Sequence, residues 1–265
     1  VIADIVRDHS IHACLHFAGL IAVGESVEQP GLYFEQNVSQ TIALLDVLAV
    51  NGVRKVVFSS SAAVYGEPEQ IPILEDHAHR PTSPYGSTKS IIEQVLAQYD
   101  LTGLIRSVSL RYFNAAGAAP GRSERHIPET HLIPLAIDAA LRLRDPLTVF
   151  GTDYDTPDGT AVRDYIHVID LADAHLRALD YLRGDGTTEV FNLGNGEGYS
   201  VMQVIESVSR VAEREVPFAL GARRAGDPPV LVASADRARQ MLGWLPQHPD
   251  LDTIVSSAWA SRIPS

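Results

Sequence analysis

Tyr85 and Lys89 stand four residues apart near the start of SPYGSTKSIIEQVLAQY, a stretch with helical periodicity, so their side chains share one helix face. A free phenol titrates near pH ~10, too high for a base at neutral pH. A neighbouring ammonium group and a helix N-terminus both favour the phenolate, which makes the pair suited to moving a proton. A Tyr and a Lys at this spacing are common on helices, and the preceding segment is what singles these two out. FSSSAAVYG places Ser61 where a strand ends and the chain turns, the position from which doubly wound sheets address their ligands. A serine there can hydrogen-bond the same substrate oxygen as Tyr85, whereas Ser59 and Ser60 also suit plain turn formation. Lysine occurs elsewhere only at Lys55, so Lys89 stands out in a chain that otherwise uses arginine.

The elements that must position these residues follow from local pattern. HACLHFAG (12–19) and KVVFSSS (55–61) read as strands, and NVSQTIALLDVLAVNG between them reads as a helix capped by Asn37 and stopped at Gly52. Ser83 is the expected N-cap of the next helix, with Pro84 at its first position, and SVSLRYFN (107–114) supplies another strand. Alternation of this kind predicts an α/β fold with a doubly wound, Rossmann-type parallel sheet. After Asn114 the run AAGAAPGRSERHIPET reads as a loop at a domain junction. Beyond it come a helix in LIPLAIDAALRL, short strands around LTVFG and EVFNLG, a helix capped by Ser200 and a final helix from Ser234 to Gly243. Trp244 and Trp259 are expected to anchor the C-terminal helices.

The 265 residues are 45% hydrophobic and 20% charged, enough for a large core. A net charge of -12 and a pI near 5.2 disfavour nucleic acid and anionic membrane surfaces as partners. Cys14 is the single cysteine, and no apolar run approaches the ~20 residues of a membrane span. The expected location is cytoplasmic. His126 and His131 flank the central loop with no third ligand at metal-like spacing, so they are expected to be solvated and no metal is expected.

The motifs HFAGL, FSSSAAVYGE, SPYGSTK, LRYFNAAGA, VRDYIHVIDLADAH, FNLGNG and RRAGDPP occur in that order. Together they resemble the extended short-chain dehydrogenase/reductase superfamily and, within it, the UDP-glucose 4-epimerase family, over nearly the whole chain. The resemblance implies NAD-dependent interconversion of UDP-galactose and UDP-glucose through a 4-keto sugar. Ser61, Tyr85 and Lys89 would be the catalytic residues. Phe17, Ala18, Gly19, Leu20, Asn37, Ser59 and Phe113 would contact the cofactor together with Tyr85 and Lys89. Asn114, Leu132, Arg163, Arg224 and Asp227 would join Ser61 at the UDP-sugar, a guanidinium fork being suited to a diphosphate. The family's habit implies a homodimer packed through the helices from Asn37 and Tyr85. It also implies an NAD-binding domain over residues 1–115 and a smaller, mainly UDP-sugar-binding α/β domain over 116–265, some of whose segments return to the first sheet.

Departures from the pattern carry expectations too. Ile21 stands where a lysine usually touches the cofactor ribose. Leu231 occupies a position that governs room for an N-acetyl group. Ala62 and Ala63 lack the acids of related dehydratases and decarboxylases, which favours epimerisation. No glycine-rich pyrophosphate turn precedes HFAGL, and Val1 opens inside a helical pattern, so the chain is expected to lack the first β-α-β unit. Two alternatives follow: an epimerase for another nucleotide sugar, or an inactive fragment that binds UDP-sugar. The Gly194-x-Gly196-x-Gly198 cluster has the wrong spacing for a phosphate loop and is expected beside the substrate.

Overall fold

A computed structural model describes residues 1–122, 124, 126–224 and 227–263; the central Ala225-Gly226 of the RRAGDPP motif lies outside them. The chain opens with α1 (Ile2–Asp8) and β1 (Cys14–His16), shorter than the strand expected over 12–19. Helices α2 (Val23–Glu28) and α3 (Pro30–Tyr33) follow, and α3 runs through a π-helical stretch (Phe34–Ser39) into α4 (Gln40–Val50). Asn37 is therefore not the expected helix cap. It sits buried inside the widened turn, seven residues past Pro30, and its side chain is spent elsewhere. Pro30 starts the helix at the position where a missing N–H costs nothing.

Strand β2 (Lys55–Ser61) ends in a 3₁₀ turn (Ala62–Val64) and leads to α5 (Pro84–Leu101). Ser83 caps α5 by accepting from the Gly86 N–H at 3.1 Å, with Pro84 at the first helical position. Next come β3 (Arg106–Tyr112), β4 (Asn114–Ala116), α6 (Leu132–Ala140), β5 (Leu147–Phe150), β6 (Val162–His167) and α7 (Val168–Arg183). The rest of the chain forms β7 (Glu189–Leu193), β8 (Gly198–Ser200), α8 (Val201–Ala212), β9 (Phe218–Gly221), β10 (Val230–Leu231), α9 (Asp236–Leu242) and α10 (Leu251–Arg262). Ser200 and Gln203 close a reciprocal capping box on α8. The helix expected to be last is α9; α10 follows it, started by the Asp250 side chain accepting from Thr253 N at 2.8 Å.

Strands β1, β2, β3 and β7 form one parallel sheet in the order β1-β2-β3-β7. Alternate side chains of its inner strands enter two cores. Val56 and Phe58 pack with α1, α4 and α5 through Val6, Leu45, Ile92 and Leu96. Val57, Val108 and Leu110 pack on the opposite face with Ala174 and Ala178 of α7 and with Trp244. Burial on both faces explains the nearly continuous apolar run of β2. A third core joins α6, α8 and α10 to β5 and Tyr165. Strands β10, β6 and β4 run side by side, with β8 antiparallel on β6, and Trp259 packs at the margin of the third core.

Because β1, β2, β3 and β7 are parallel, Phe17, Ser61, Phe113 and Gly194 all emerge at the same edge of the sheet. Helix α5 reaches that edge only through a close approach. A Cβ on Gly86 would stand 2.4 Å from the Ala63 carbonyl oxygen and 3.1 Å from the Pro81 Cβ. Gly86→Ala is expected to push the first turn of α5 off the 3₁₀ turn, destabilising the fold by about 1–3 kcal/mol despite alanine's better helix propensity. Chemical denaturation of the variant beside wild type checks this; equal stability would show that the contact yields.

Candidate active site

Lys89 is the most unusual group at this edge. Its side chain lies on the buried face of α5 with 3% of the residue exposed, and its ammonium donates to the Ser59 carbonyl at 2.8 Å. The same nitrogen sits 4.8 Å from the centre of the Phe58 ring and 5.8 Å from that of Tyr85. Burial lowers its pKa to about 8, an effect opposed by the charge of Glu93. His16, on β1, is held neutral with a pKa near 4 by burial and by the charge of Lys89, and its Nε2 pairs with Thr41 Oγ1 at 2.8 Å.

Tyr85 stands one helical turn earlier. Burial pushes its phenol up to about 12, with the Ser61 hydroxyl acting in the opposite direction and Tyr112 in the same one. Burial of Tyr85 thus works against the phenolate that the helix spacing favours. Lys89 gives its hydrogen bond to Ser59 and does not reach the phenol oxygen. Ser61 Oγ accepts from Ala63 N at 3.2 Å and so starts the 3₁₀ turn that exposes it. Ser59 is more than a turn former: it is buried and its hydroxyl pairs with Tyr112.

The turn after β1 is fixed to this site by Asn37. Its side-chain oxygen accepts from Leu20 N at 2.8 Å, and its amide donates to Leu20 O at 3.0 Å and to Thr88 Oγ1 at 3.2 Å. A side chain at Gly19 would meet Asn37 Oδ1 at 3.1 Å and approach Lys89 Nζ at 4.0 Å, and its φ of +157° sits at the margin of what other residues adopt. Phe17 is 54% exposed and stacks on His175 at 4.6 Å, with Ala18 and Gly19 also open to solvent. Ile21 is exposed.

Phe113 and Leu231 pack together against the cluster of Val64, Tyr65 and Ile73. Leu231 lies opposite Arg163 in the β10–β6 register. Arg163 pairs with Asp227 and donates to the Val162 carbonyl at 2.7 Å, so two distant motifs converge. The Arg224 guanidinium lies 4.1 Å from the centre of the Phe150 ring. Asn114 donates to the Asp164 carbonyl at 3.1 Å, and Leu132 opens α6 at the margin of the third core.

The side chains of His126 and His131 are exposed, as expected for loop histidines, and folding brings carboxylates beside them, Glu124 next to both and Glu129 next to His131. His131 Nδ1 lies 3.1 Å from Glu124 and 2.9 Å from Glu129, and these carboxylates raise it to about 9. The four side chains offer ligand-type atoms within 4.8 Å of one another. The Gly194–Gly198 cluster wraps a carboxylate of the protein itself. Asn195 N and Gly196 N donate to Asp164 at 2.8 and 3.1 Å, and a Cβ on Gly194 would stand 2.3 Å from Asp164 Oδ2. Sequence reasoning also passed over Glu93 and Arg111, which lie directly beneath Lys89; their only signal was burial-pattern charge on a helix and a strand.

The donor set fits the nicotinamide and ribose end of a dinucleotide. The Lys89 ammonium uses one of its three donors on Ser59, the Tyr85 and Ser61 hydroxyls stand beside it, and Gly19 keeps the approach free of a side chain.

Residues 1–194 match the family described as "NAD dependent epimerase/dehydratase family". The chain is 52% identical to the UDP-glucose 4-epimerase of Rhizobium leguminosarum bv. trifolii, covering 97% of this chain and 79% of that protein. It also resembles the structure of UDP-glucose 4-epimerase from Brucella ovis in complex with NAD, with 46% identity, a TM-score of 0.95 and coverage of 97% and 80%. The Bifidobacterium longum UDP-glucose 4-epimerase in complex with NAD+ and UDP matches at 38% identity and TM-score 0.91, covering 98% and 79%.

The buried ammonium has a consequence for stability. Its folded pKa lies below its ordinary value of 10.5, so the cost of burying the charge is fully present below about pH 8 and disappears as pH rises past 10.5. That cost is on the order of 3 kcal/mol at neutral pH. Lys89→Met is expected to raise the melting midpoint by a few degrees at pH 7, less than the full cost because the Ser59 carbonyl loses its donor, with the gain shrinking toward pH 10. Calorimetry across that range checks it; a lower midpoint at pH 7 would show that Lys89 stabilises the fold.

Proposed function

The chain belongs to the NAD dependent epimerase/dehydratase family, and from that premise we propose that it is a UDP-glucose 4-epimerase, interconverting UDP-galactose and UDP-glucose. The observation that carries this reading is the convergence of Ser61, Tyr85 and Lys89 at one edge of a parallel sheet, beside a turn clamped by Asn37.

NAD, when bound, would supply the hydride acceptor and donor needed at sugar C4. In this reading Tyr85 accepts the proton of the 4-hydroxyl through its phenol oxygen and hands it back after the 4-keto sugar has turned over. Ser61 hydrogen-bonds the same oxygen and keeps it in line with Tyr85. Lys89 holds a positive charge beside the phenol, which lowers the free energy of the phenolate as it forms. To act as this base Tyr85 must first release its own phenol proton to solvent, and the positive charge of Lys89 favours that release against the opposing effect of burial.

The dinucleotide contacts of this chain are Phe17, Ala18, Gly19, Leu20, Asn37, Ser59 and Phe113. The UDP moiety falls to Asn114, Leu132, Arg163, Arg224 and Asp227, where the Arg163–Asp227 pair opens to offer the guanidinium to the diphosphate. Residues 1–115 form the cofactor half and 116–265 mainly the UDP-sugar half, with α7 and β7 returning to the first sheet. We propose a homodimer joined through α4 and α5, whose neighbourhood exposes Val50 and Leu101. No helix among the described residues is long and apolar enough to cross a membrane, and we place the enzyme in the cytoplasm.

Conversion of UDP-galactose to UDP-glucose, followed by coupled assay, is the direct test. Tyr85→Phe should lower kcat by about 10²–10⁴-fold while bound NAD, measured after acid release, stays at the wild-type level. A Tyr85→Phe enzyme of unchanged kcat would remove Tyr85 from the chemistry. Light scattering should give twice the chain mass, falling toward one chain for Leu101→Asp.

A further inference from the structure

Beneath the catalytic edge lies a buried polar network that the reaction does not touch. Glu93 follows Lys89 by four residues on the inner face of α5. Its carboxylate takes a forked pair of hydrogen bonds from Arg111, Nε to Oε1 at 3.0 Å and Nη2 to Oε2 at 2.5 Å. Both side chains are buried, with 6% and 4% exposed. The same carboxylate accepts from Ser60 Oγ at 2.5 Å. Ser60 is the residue between Ser59, whose carbonyl receives Lys89, and Ser61, which addresses the substrate. One carboxylate therefore grips the strand at the single residue flanked by both functional contacts, from a helix position one turn below the lysine.

We propose that Glu93 is a positioning residue of this site: it sets the register of α5 against the end of β2 and is the buried counter-charge of Lys89. Lys89 makes no ion pair among the described residues, and Glu93, four residues further along the buried face of α5, is the carboxylate whose charge raises it. Arg111 divides that charge and in turn donates to Tyr65 Oη at 2.8 Å and to the Glu75 carbonyl at 2.9 Å. His79 accepts from Arg111 at Nε2 and passes Nδ1–H to Ser90 on α5, so it stays neutral.

The other groups that face the pair leave this assignment intact. From β1, His16 is neutral. From β3, Tyr112 bonds Ser59 and acts on Tyr85 rather than on Lys89. From α3, Tyr33 turns its hydroxyl to Glu25 at 2.8 Å. Glu93 thus helps keep the lysine protonated, and removing its charge should lower the lysine.

The inference rests on the catalytic reading of Tyr85 and Lys89, and its test separates the two. Glu93→Gln keeps the shape and removes the charge. The limb of the kcat/KM profile that reports loss of the Lys89 proton should move to lower pH, while the KM for UDP-galactose at the optimum stays within about twofold. Glu93→Asp should give a shift of the same sign and smaller size, and it decides the question if the glutamine variant does not fold. Ser60→Ala, which keeps the charge, should lower kcat with the limbs in place. A Lys89 limb unchanged in Glu93→Gln or Glu93→Asp, with only the melting midpoint reduced, would make Glu93 structural and overturn the proposal. A Tyr85→Phe enzyme that remains active would instead remove the catalytic reading itself.

Discussion

An ammonium group held out of water is the constraint on which this half of the protein depends. Burying a charge is expensive unless its surroundings are arranged around it. Here the arrangement comes from four directions: the Ser59 carbonyl from β2, the Phe58 ring beneath, a neutral His16 from β1, and the Glu93–Arg111 pair below. Each of these would be unremarkable alone. Together they explain why a helix with a modest apolar stripe buries Lys89 and Glu93 on the face that packs against the sheet.

The same logic recurs in the second half. Asp164 is fully buried on β6, and burial raises its carboxyl to about 6. Backbone N–H groups of Asn195, Gly196 and Ala233 converge on it, tying the turn after β7 and the chain after β10 to one strand. The glycines of that turn are needed because the backbone must close on a carboxylate, which is a packing demand of the kind that also shapes phosphate loops. The neighbouring Arg163 faces the other way, toward Asp227. Adjacent residues of one strand thus serve the core and the surface, as the alternation of a strand dictates.

Stability and reactivity pull in opposite directions at the sheet edge. The ammonium of Lys89 and the carboxyl of Asp164 are both less comfortable than they would be in water, and the interior tolerates them because three apolar cores surround them. The two differ in place: Lys89 bonds the Ser59 carbonyl near the carboxyl end of β2, whereas Asp164 lies within β6 with its bonds made by backbone N–H groups.

The sequence by itself determined the elements whose signals are local. Strand β2 over Lys55–Ser61, the Ser83–Pro84 start of α5 and the Ser200 cap of α8 are each written within a few residues, and the four-residue step from Tyr85 to Lys89 puts both on one face wherever the helix lies. The motif order likewise identified the family. Partners far apart in the chain were decided only by the tertiary structure. Asn37 reads as a cap because its neighbours look like a helix start, yet Pro30 starts the helix earlier and frees Asn37 to clamp Leu20 and Thr88. Glu93 meets Arg111, Asp227 meets Arg163, and Glu124 and Glu129 meet His131 because packing chooses which faces of strands and loops oppose each other. The upward push of burial on the Tyr85 phenol belongs to the same class: spacing brings a lysine near it, but burial is a property of the whole fold.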